Sequence, residues 1–258
     1  MTDSLKRYHL FGWDYPTHGP LRADETAWHL RHARQTGGPV LDVPCGTGRL
    51  LCRIAEAGFE ITGIDLCEEM LELARENVFQ LTPAARECVK LVRADMTAFG
   101  LGERFGLIYI ADNSFRELST GEALQACLRC MRAHLRDDGV FLMTERRFDP
   151  AVFADGRREL DWSEPLTNPH TGERVRRRMS AKVIEDGQRL LGEFVYEITR
   201  SAGDVVTECC PIDSLILDMD GYRALLEDAG FSFDAFADYS DRPVDGTQKL
   251  TCFVCRPI

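Results

Sequence analysis

Pro39-Val40-Leu41-Asp42-Val43-Pro44-Cys45-Gly46-Thr47-Gly48-Arg49-Leu50-Leu51, followed by Ile61-Thr62-Gly63-Ile64-Asp65, is the stretch that decides the fold. A short apolar run enters a tight glycine turn, a helix leaves it, and a second apolar run ends in a carboxylate. Gly46 and Gly48 allow positive φ and let a ligand approach the backbone where a Cβ would collide. Asp65 comes 19 residues after Gly46 (65 − 46). That is close to the roughly 20-residue spacing at which an acid grips a nucleoside ribose. The unit reads as a βαβ crevice for a nucleoside.

Outward from this unit, apolar strands at 39–43, 60–64, 89–94, 106–111 and 139–144 alternate with helices at 48–57, 67–79 and 121–135. Such alternation means right-handed crossovers and a parallel sheet. A helix at 23–36 precedes them and is stopped by Gly37-Gly38-Pro39. After Asp149-Pro150 the pattern changes: 173–184, 189–200 and 204–218 alternate apolar and polar residues, the period of strands. Asp186-Gly187 is a two-residue hairpin signal. That turn pairs Glu185 with Gln188, and so Arg176 with Glu197, Met179 with Phe194 and Val175 with Ile198, leaving one face apolar and one charged. A helix at 220–230 and strands at 231–239 and 249–256 close the chain. The expected architecture is a doubly wound, Rossmann-like α/β fold with a mostly parallel seven-stranded sheet. It forms a single domain over 1–258, with a helical cap at 1–36 and an antiparallel β insertion at 170–218 after strand 5.

The glycine turn does not suit pyrophosphate. A dinucleotide site wants a third small residue where this chain has Leu51, and Asp42 would repel a phosphate. An acid there suits a ligand with positive charge near the turn. At this point the sequence resembles the class I S-adenosylmethionine-dependent methyltransferases, whose first motif is an acid followed by alternating glycines. Here it reads Asp42-Val43-Pro44-Cys45-Gly46-Thr47-Gly48, with Pro44 where the family usually has its first glycine. The resemblance implies S-adenosyl-L-methionine as cofactor and a last strand entering the sheet antiparallel. It further implies an inserted ribbon of the kind that, in bacterial small-molecule relatives, covers the acceptor site or forms a homodimer contact.

It also implies roles for residues at the carboxyl ends of the strands. Asp65 corresponds to the ribose ligand, with Leu66 beside it; a helix N-cap is the plain alternative for the acid. In Val92-Arg93-Ala94-Asp95-Met96 the acid would accept the adenine amino hydrogen, and Met96 would lie on the adenine face. Ala111 would offer its carbonyl to the methionine ammonium, and Asn113 and Phe115 would border the acceptor. Tyr15, in the aromatic stretch Tyr8-His9-Leu10-Phe11-Gly12-Trp13-Asp14-Tyr15, would lie over the cofactor as part of a lid, or merely pin the terminus. Two acids are candidate bases: Glu117, where some amino-sugar relatives carry histidine, and Glu145 after the fifth strand. A solvated helix-start acid is the other reading of Glu117. Arg146 is either a surface charge or a clamp on an anionic acceptor.

Composition narrows the partners. The chain has 258 residues, a formal net charge of −11 and 44% hydrophobic residues. An acidic balance of that size argues against binding nucleic-acid backbone. The N-terminal residues carry no apolar run long enough for a signal peptide or a membrane span, so a cytoplasmic location is expected. Ten cysteines lack the paired spacing of a zinc site, and read as reduced, small apolar residues; no metal is expected. The function expected is methyl transfer to N or O of a small-molecule acceptor by in-line displacement. A nicotinamide-dependent oxidoreductase is the rival, opposed by Leu51 and Asp42. A protein that keeps the cofactor fold without turnover is a third reading.

Overall fold

Segments whose side chains must be apolar on both sides become the central strands. In the computed structural model, which describes residues 22–153, 155–168, 171–184 and 187–258, the chain divides into two compact units. One comprises residues 22–147 and 218–258; the other comprises 148–217.

The first unit begins with α1 (Ala23–Thr36), β1 (Val40–Asp42), α2 (Arg49–Glu56), β2 (Ile61–Asp65), α3 (Glu68–Phe79), α4 (Pro83–Glu87), β3 (Val89–Arg93), β4 (Phe105–Ile110), α5 (Gly121–His134) and β5 (Leu135–Arg146). The second carries β6 (Arg157–Leu160), β7 (Leu166–Thr167), β8 (Arg174–Ile184), β9 (Arg189–Thr199) and β10 (Val205–Leu215). The chain then returns to the first unit with α6 (Met219–Asp228), β11 (Phe231–Ala237) and β12 (Leu250–Pro257).

The sheet of the first unit has seven strands in the order β11-β12-β5-β4-β1-β2-β3. The first five strands of the chain run parallel, β12 pairs antiparallel with β5, and β11 antiparallel with β12. β1, β2 and β4 are buried at every position, which explains their apolar runs without alternation. The order reverses between β1 and β4, so their carboxyl ends open a crevice at the switch point. α1 packs across β4 and β5, placing Trp28 and His29 against the sheet; the His29 and Tyr109 rings lie 4.9 Å apart, edge to face.

One strand is longer than its pattern suggests. β5 starts at Leu135, directly after α5, because Leu135 pairs with Phe105; the exposed residues 136–138 conceal this in the sequence.

In the second unit β10-β9-β8-β6 form an antiparallel sheet, with β7 also on β8. Its register is the one the hairpin turn dictates: Arg176 opposite Glu197, Met179 opposite Phe194, Val175 opposite Ile198. Arg176 Nε donates to Glu197 Oε1 at 2.7 Å on the charged face. Val175, Tyr196 and Cys210 form a small core on the other. β6 and β7 are short pieces without a period of their own. Glu185 and Asp186 lie outside the described residues.

Candidate active site

The crevice is built from the glycine turn upward. Val43 N–H donates to the Tyr109 carbonyl at 3.0 Å and Cys45 N–H to the Ile64 carbonyl at 2.8 Å. Pro44 falls between these donors, so its missing N–H forfeits no bond. Gly46 and Gly48 take φ of +54° and +75°, the conformations for which glycine is needed. Asn77 of α3 donates its side-chain amide to the Thr47 carbonyl at 2.9 Å and ties the turn down from the other side. The small residue that position 51 lacks is supplied at 63. A Cβ on Gly63 would fall 2.5 Å from Leu51 Cδ1 and 2.9 Å from Cys45 Cβ. A glycine inside an apolar strand pattern was the signal for this close approach.

Asp42 ends β1 with its carboxyl buried and no ion-pair partner among the described residues. Burial pushes its pKa well above the usual carboxylate range; the Tyr109 hydroxyl and Arg49 offset part of that. The Tyr109 hydroxyl is buried and stands near the carboxyl without a hydrogen bond of good geometry. Glu25, buried on α1, lies 3.6 Å from Arg49, which also reaches Asp112 at 3.7 Å. Burial raises the Glu25 carboxyl, and the Arg49 charge lowers it.

Asp65 is 7% exposed at the end of β2. Its Oδ2 accepts the Gly46 N–H and its Oδ1 the Cys67 N–H, both at 2.9 Å. The carboxylate thus joins the glycine turn to the end of the second strand and to Cys67, the residue just before α3, with one lone pair left on each oxygen for further donors. Leu66, half-buried, accepts Arg93 Nε at its carbonyl. Asp95 Oδ1 accepts the Thr97 N–H and hydroxyl, which fixes the side chain, and Met96 beside it is half-buried.

At the exit of β4 the chain turns through Asp112 and Asn113, both left-handed with φ of +54° and +67°. Ala111 accepts the Ser114 N–H at its carbonyl at 3.2 Å. Asn113 Oδ1 accepts the Arg146 N–H at 2.9 Å, so this side chain holds the β5 exit and keeps its amide group for other partners. Arg146 itself is exposed. Phe115 packs inward at 1% exposure, whereas Glu117 is half-buried on the 3₁₀ turn Ser114–Glu117. Glu145 is 1% exposed and ion-paired with Arg116, Nε to Oε2 at 3.0 Å, with the Tyr222 hydroxyl 3.5 Å from the same oxygen. Burial pushes its carboxyl up to about 7, against the pull of Arg116. Arg116 and Tyr222 escaped the sequence reading because they lie 29 residues before and 77 residues after Glu145 (145 − 116, 222 − 145). Tyr15 lies outside the described residues. No three His, Cys, Asp or Glu side chains gather as a metal site among the described residues.

Comparison with known proteins fits this geometry. A methyltransferase-domain family matches residues 40–139, the span from β1 into β5. A dTDP-4-amino-2,3,4,6-tetradeoxy-D-glucose N,N-dimethyltransferase of Saccharopolyspora spinosa is 30% identical over 191 residues, covering 74% of this chain and 70% of that protein. The chain belongs to the class I S-adenosylmethionine-dependent methyltransferases. Its fold is shared with an S-adenosylmethionine-dependent methyltransferase from Clostridium acetobutylicum at TM-score 0.74, with 15% identity and 98% of each chain covered. It is shared also with an amino pentose methyltransferase from Micromonospora echinaspora solved with S-adenosylmethionine bound, at TM-score 0.68, 22% identity and coverage of 96% of this chain and 97% of that one.

The residues of this methyltransferase fit the cofactor. Asp42 is a buried carboxyl without an ion-pair partner among the described residues, and a cationic ligand end would supply the counter-charge. Asp42 and Ala111 would face the positive end of S-adenosylmethionine, Asp65 the ribose, Asp95 and Met96 the adenine.

Proposed function

We propose that this methyltransferase acts on the amino nitrogen of a small polar acceptor of the amino-sugar class. S-Adenosylmethionine, when bound, supplies a methyl group made electrophilic by the neighbouring sulfonium. The chain's contribution is to bind, orient and dry the site. Asp42 matches the cofactor's positive charge, and Asp65 and Asp95 orient its nucleoside end. The β4 exit around Asn113 and the guanidinium of Arg146 meet the acceptor, with Arg146 suited to an anionic group such as a phosphate. An amine that arrives protonated must lose a proton before it attacks. Glu117 takes that proton, because it is the less buried of the two candidate acids; Glu145 is committed to Arg116.

The observation that carries this reading is the pairing of an acidic crevice at Asp42 with an Asn113–Arg146 rim on adjoining strand ends. The Saccharopolyspora spinosa relative, whose printed substrate is a nucleotide-linked amino sugar, supports the acceptor class. The net charge of −11 speaks for a small molecule rather than nucleic acid. Ten free cysteines suit the reducing cytoplasm. None of the described helices is long and apolar enough to cross a membrane. The exposed Leu160 and Leu166, both on strands paired with β8, support a homodimer contact there.

The test is an acceptor panel of nucleotide-linked amino sugars, glycine and catechols, read by mass spectrometry for the gain of one CH₂ group. Calorimetry with S-adenosylhomocysteine runs alongside. Methylation of amino sugars at nitrogen is expected. Turnover confined to catechols would overturn the acceptor assignment, and failure to bind S-adenosylhomocysteine would overturn the cofactor site.

A further inference from the structure

A buried ion pair is a poor device for stability, because desolvation of both charges offsets their attraction and apolar replacements are often as stable. The Arg116–Glu145 pair therefore calls for another explanation. The side chains are 16% and 2% exposed and meet at 3.0 Å. Glu145 Oε1 and Arg116 Nε both lack a hydrogen-bond partner among the described residues, so the two groups are held by charge at that distance, with the Tyr222 hydroxyl 3.5 Å from Glu145 Oε2. Glu117 adds a like charge nearby.

What the pair accomplishes is visible at the other end of the guanidinium. Arg116 Nη2 donates to the Arg146 carbonyl. The N–H of the same residue, Arg146, donates to Asn113 Oδ1 at 2.9 Å. Two residues earlier on β5, the Thr144 carbonyl accepts the Asn113 N–H at 3.1 Å and Thr144 Oγ1 accepts the Asp112 N–H at 3.2 Å. The left-handed turn after β4 and the last residues of β5 are thus joined at four points. Both strands end at the carboxyl edge of the sheet, beside the Ala111 carbonyl and one strand from Asp42.

We propose that Arg116 and Glu145 are positioning residues: the pair locks the turn at 112–117 to the β5 exit and so fixes the rim that presents Asn113 and Arg146 to the acceptor. Neither side chain touches cofactor or acceptor. Arg116 acts through the Arg146 carbonyl, and Glu145 acts by orienting Arg116. The proposal rests on the reading that this rim borders the acceptor.

The first experiment needs no acceptor. Hydrogen exchange of the S-adenosylhomocysteine-bound protein should speed up about tenfold at 112–118 and 144–147 in Glu145→Gln, with exchange at 41–48 unchanged. Unchanged exchange at the rim overturns the proposal. The second uses dTDP-3-amino-3,6-dideoxyglucose, or the panel member with the highest turnover, as acceptor. Glu145→Gln should lower kcat about tenfold while S-adenosylhomocysteine affinity stays within twofold. The double variant Arg116→Met with Glu145→Leu should regain the wild-type melting temperature without regaining kcat, since nothing then grips the Arg146 carbonyl. Restoration of both, or a wild-type kcat in Glu145→Gln, shows that the pair is structural only and overturns the proposal. Loss of S-adenosylhomocysteine binding by the wild-type protein is a separate outcome, and counts against the cofactor site instead.

Discussion

Gly63→Ala adds one methyl group at the point where the glycine turn presses on β2. The new Cβ falls 2.5 Å from Leu51 Cδ1, 2.9 Å from Cys45 Cβ and 3.0 Å from Cys45 Sγ. Leu51 Cδ1 is the far end of a side chain and moves aside at little cost. Cys45 Cβ is one bond from the backbone of the turn, so relief there shifts the turn itself. Overpacking of this kind costs about 1–3 kcal/mol of folding free energy. The same shift moves Gly46 and Gly48, and S-adenosylhomocysteine affinity should fall about tenfold, or roughly 1.4 kcal/mol. Denaturant titration reads the first quantity and calorimetry the second. Leu51→Ala in the Gly63→Ala background should recover some stability relative to additivity but little affinity, because the Cys45 contact remains. A Gly63→Ala protein within about 0.5 kcal/mol of wild type, binding S-adenosylhomocysteine normally, would refute the argument that this glycine sets the turn.

Three further outcomes are expected from the burial and hydrogen bonding of Glu145, Asp42 and Asp65. Burial raises Glu145 from 4.5 to about 7, so the folded protein binds that proton more tightly than the unfolded chain. Its contribution to stability is complete below about pH 4.5 and is lost as pH rises through 7. Relative to Glu145→Gln, the wild-type protein should lose roughly 3 kcal/mol between pH 4 and 8, and parallel stability curves would contradict this. Asp42 is also raised by burial, and the ammonium of S-adenosylhomocysteine is matched only by its carboxylate form, so affinity should fall as pH drops, by up to about tenfold per pH unit. The Asp42→Asn profile should be weaker and flatter, and an unaltered slope in calorimetry removes Asp42 from the site. Asp65→Ala should weaken S-adenosylhomocysteine by roughly 1.5–3 kcal/mol and lower the melting temperature, since the Gly46 and Cys67 N–H groups lose their acceptor. Asp65→Asn should recover part of the stability and little of the affinity.

The glycine turn and the acids flanking it were legible because their geometry is local. Asp42, Gly46, Gly48 and Asp65 lie within one βαβ unit, where strand period, turn residues and spacing constrain one another, and the ribbon register followed from a two-residue turn. Other features depend on residues that chain order keeps apart. Phe115 looks like a rim aromatic in sequence, yet its ring is packed inside. Glu145 looks like a free acid at a strand end, yet it is buried against Arg116 and Tyr222.

The amino-acid sequence alone determined the alternation of strands and helices, the glycine turn and the acids that end β1 and β2, because hydrophobic periodicity and backbone conformational limits act over a few residues. Tertiary structure alone decided which acids are sealed from water, that Gly63 rather than position 51 supplies the close approach, and that Arg116 secures the β5 exit. Burial and ion pairing depend on what packing brings within a few ångströms, and no pattern along the chain encodes that distance.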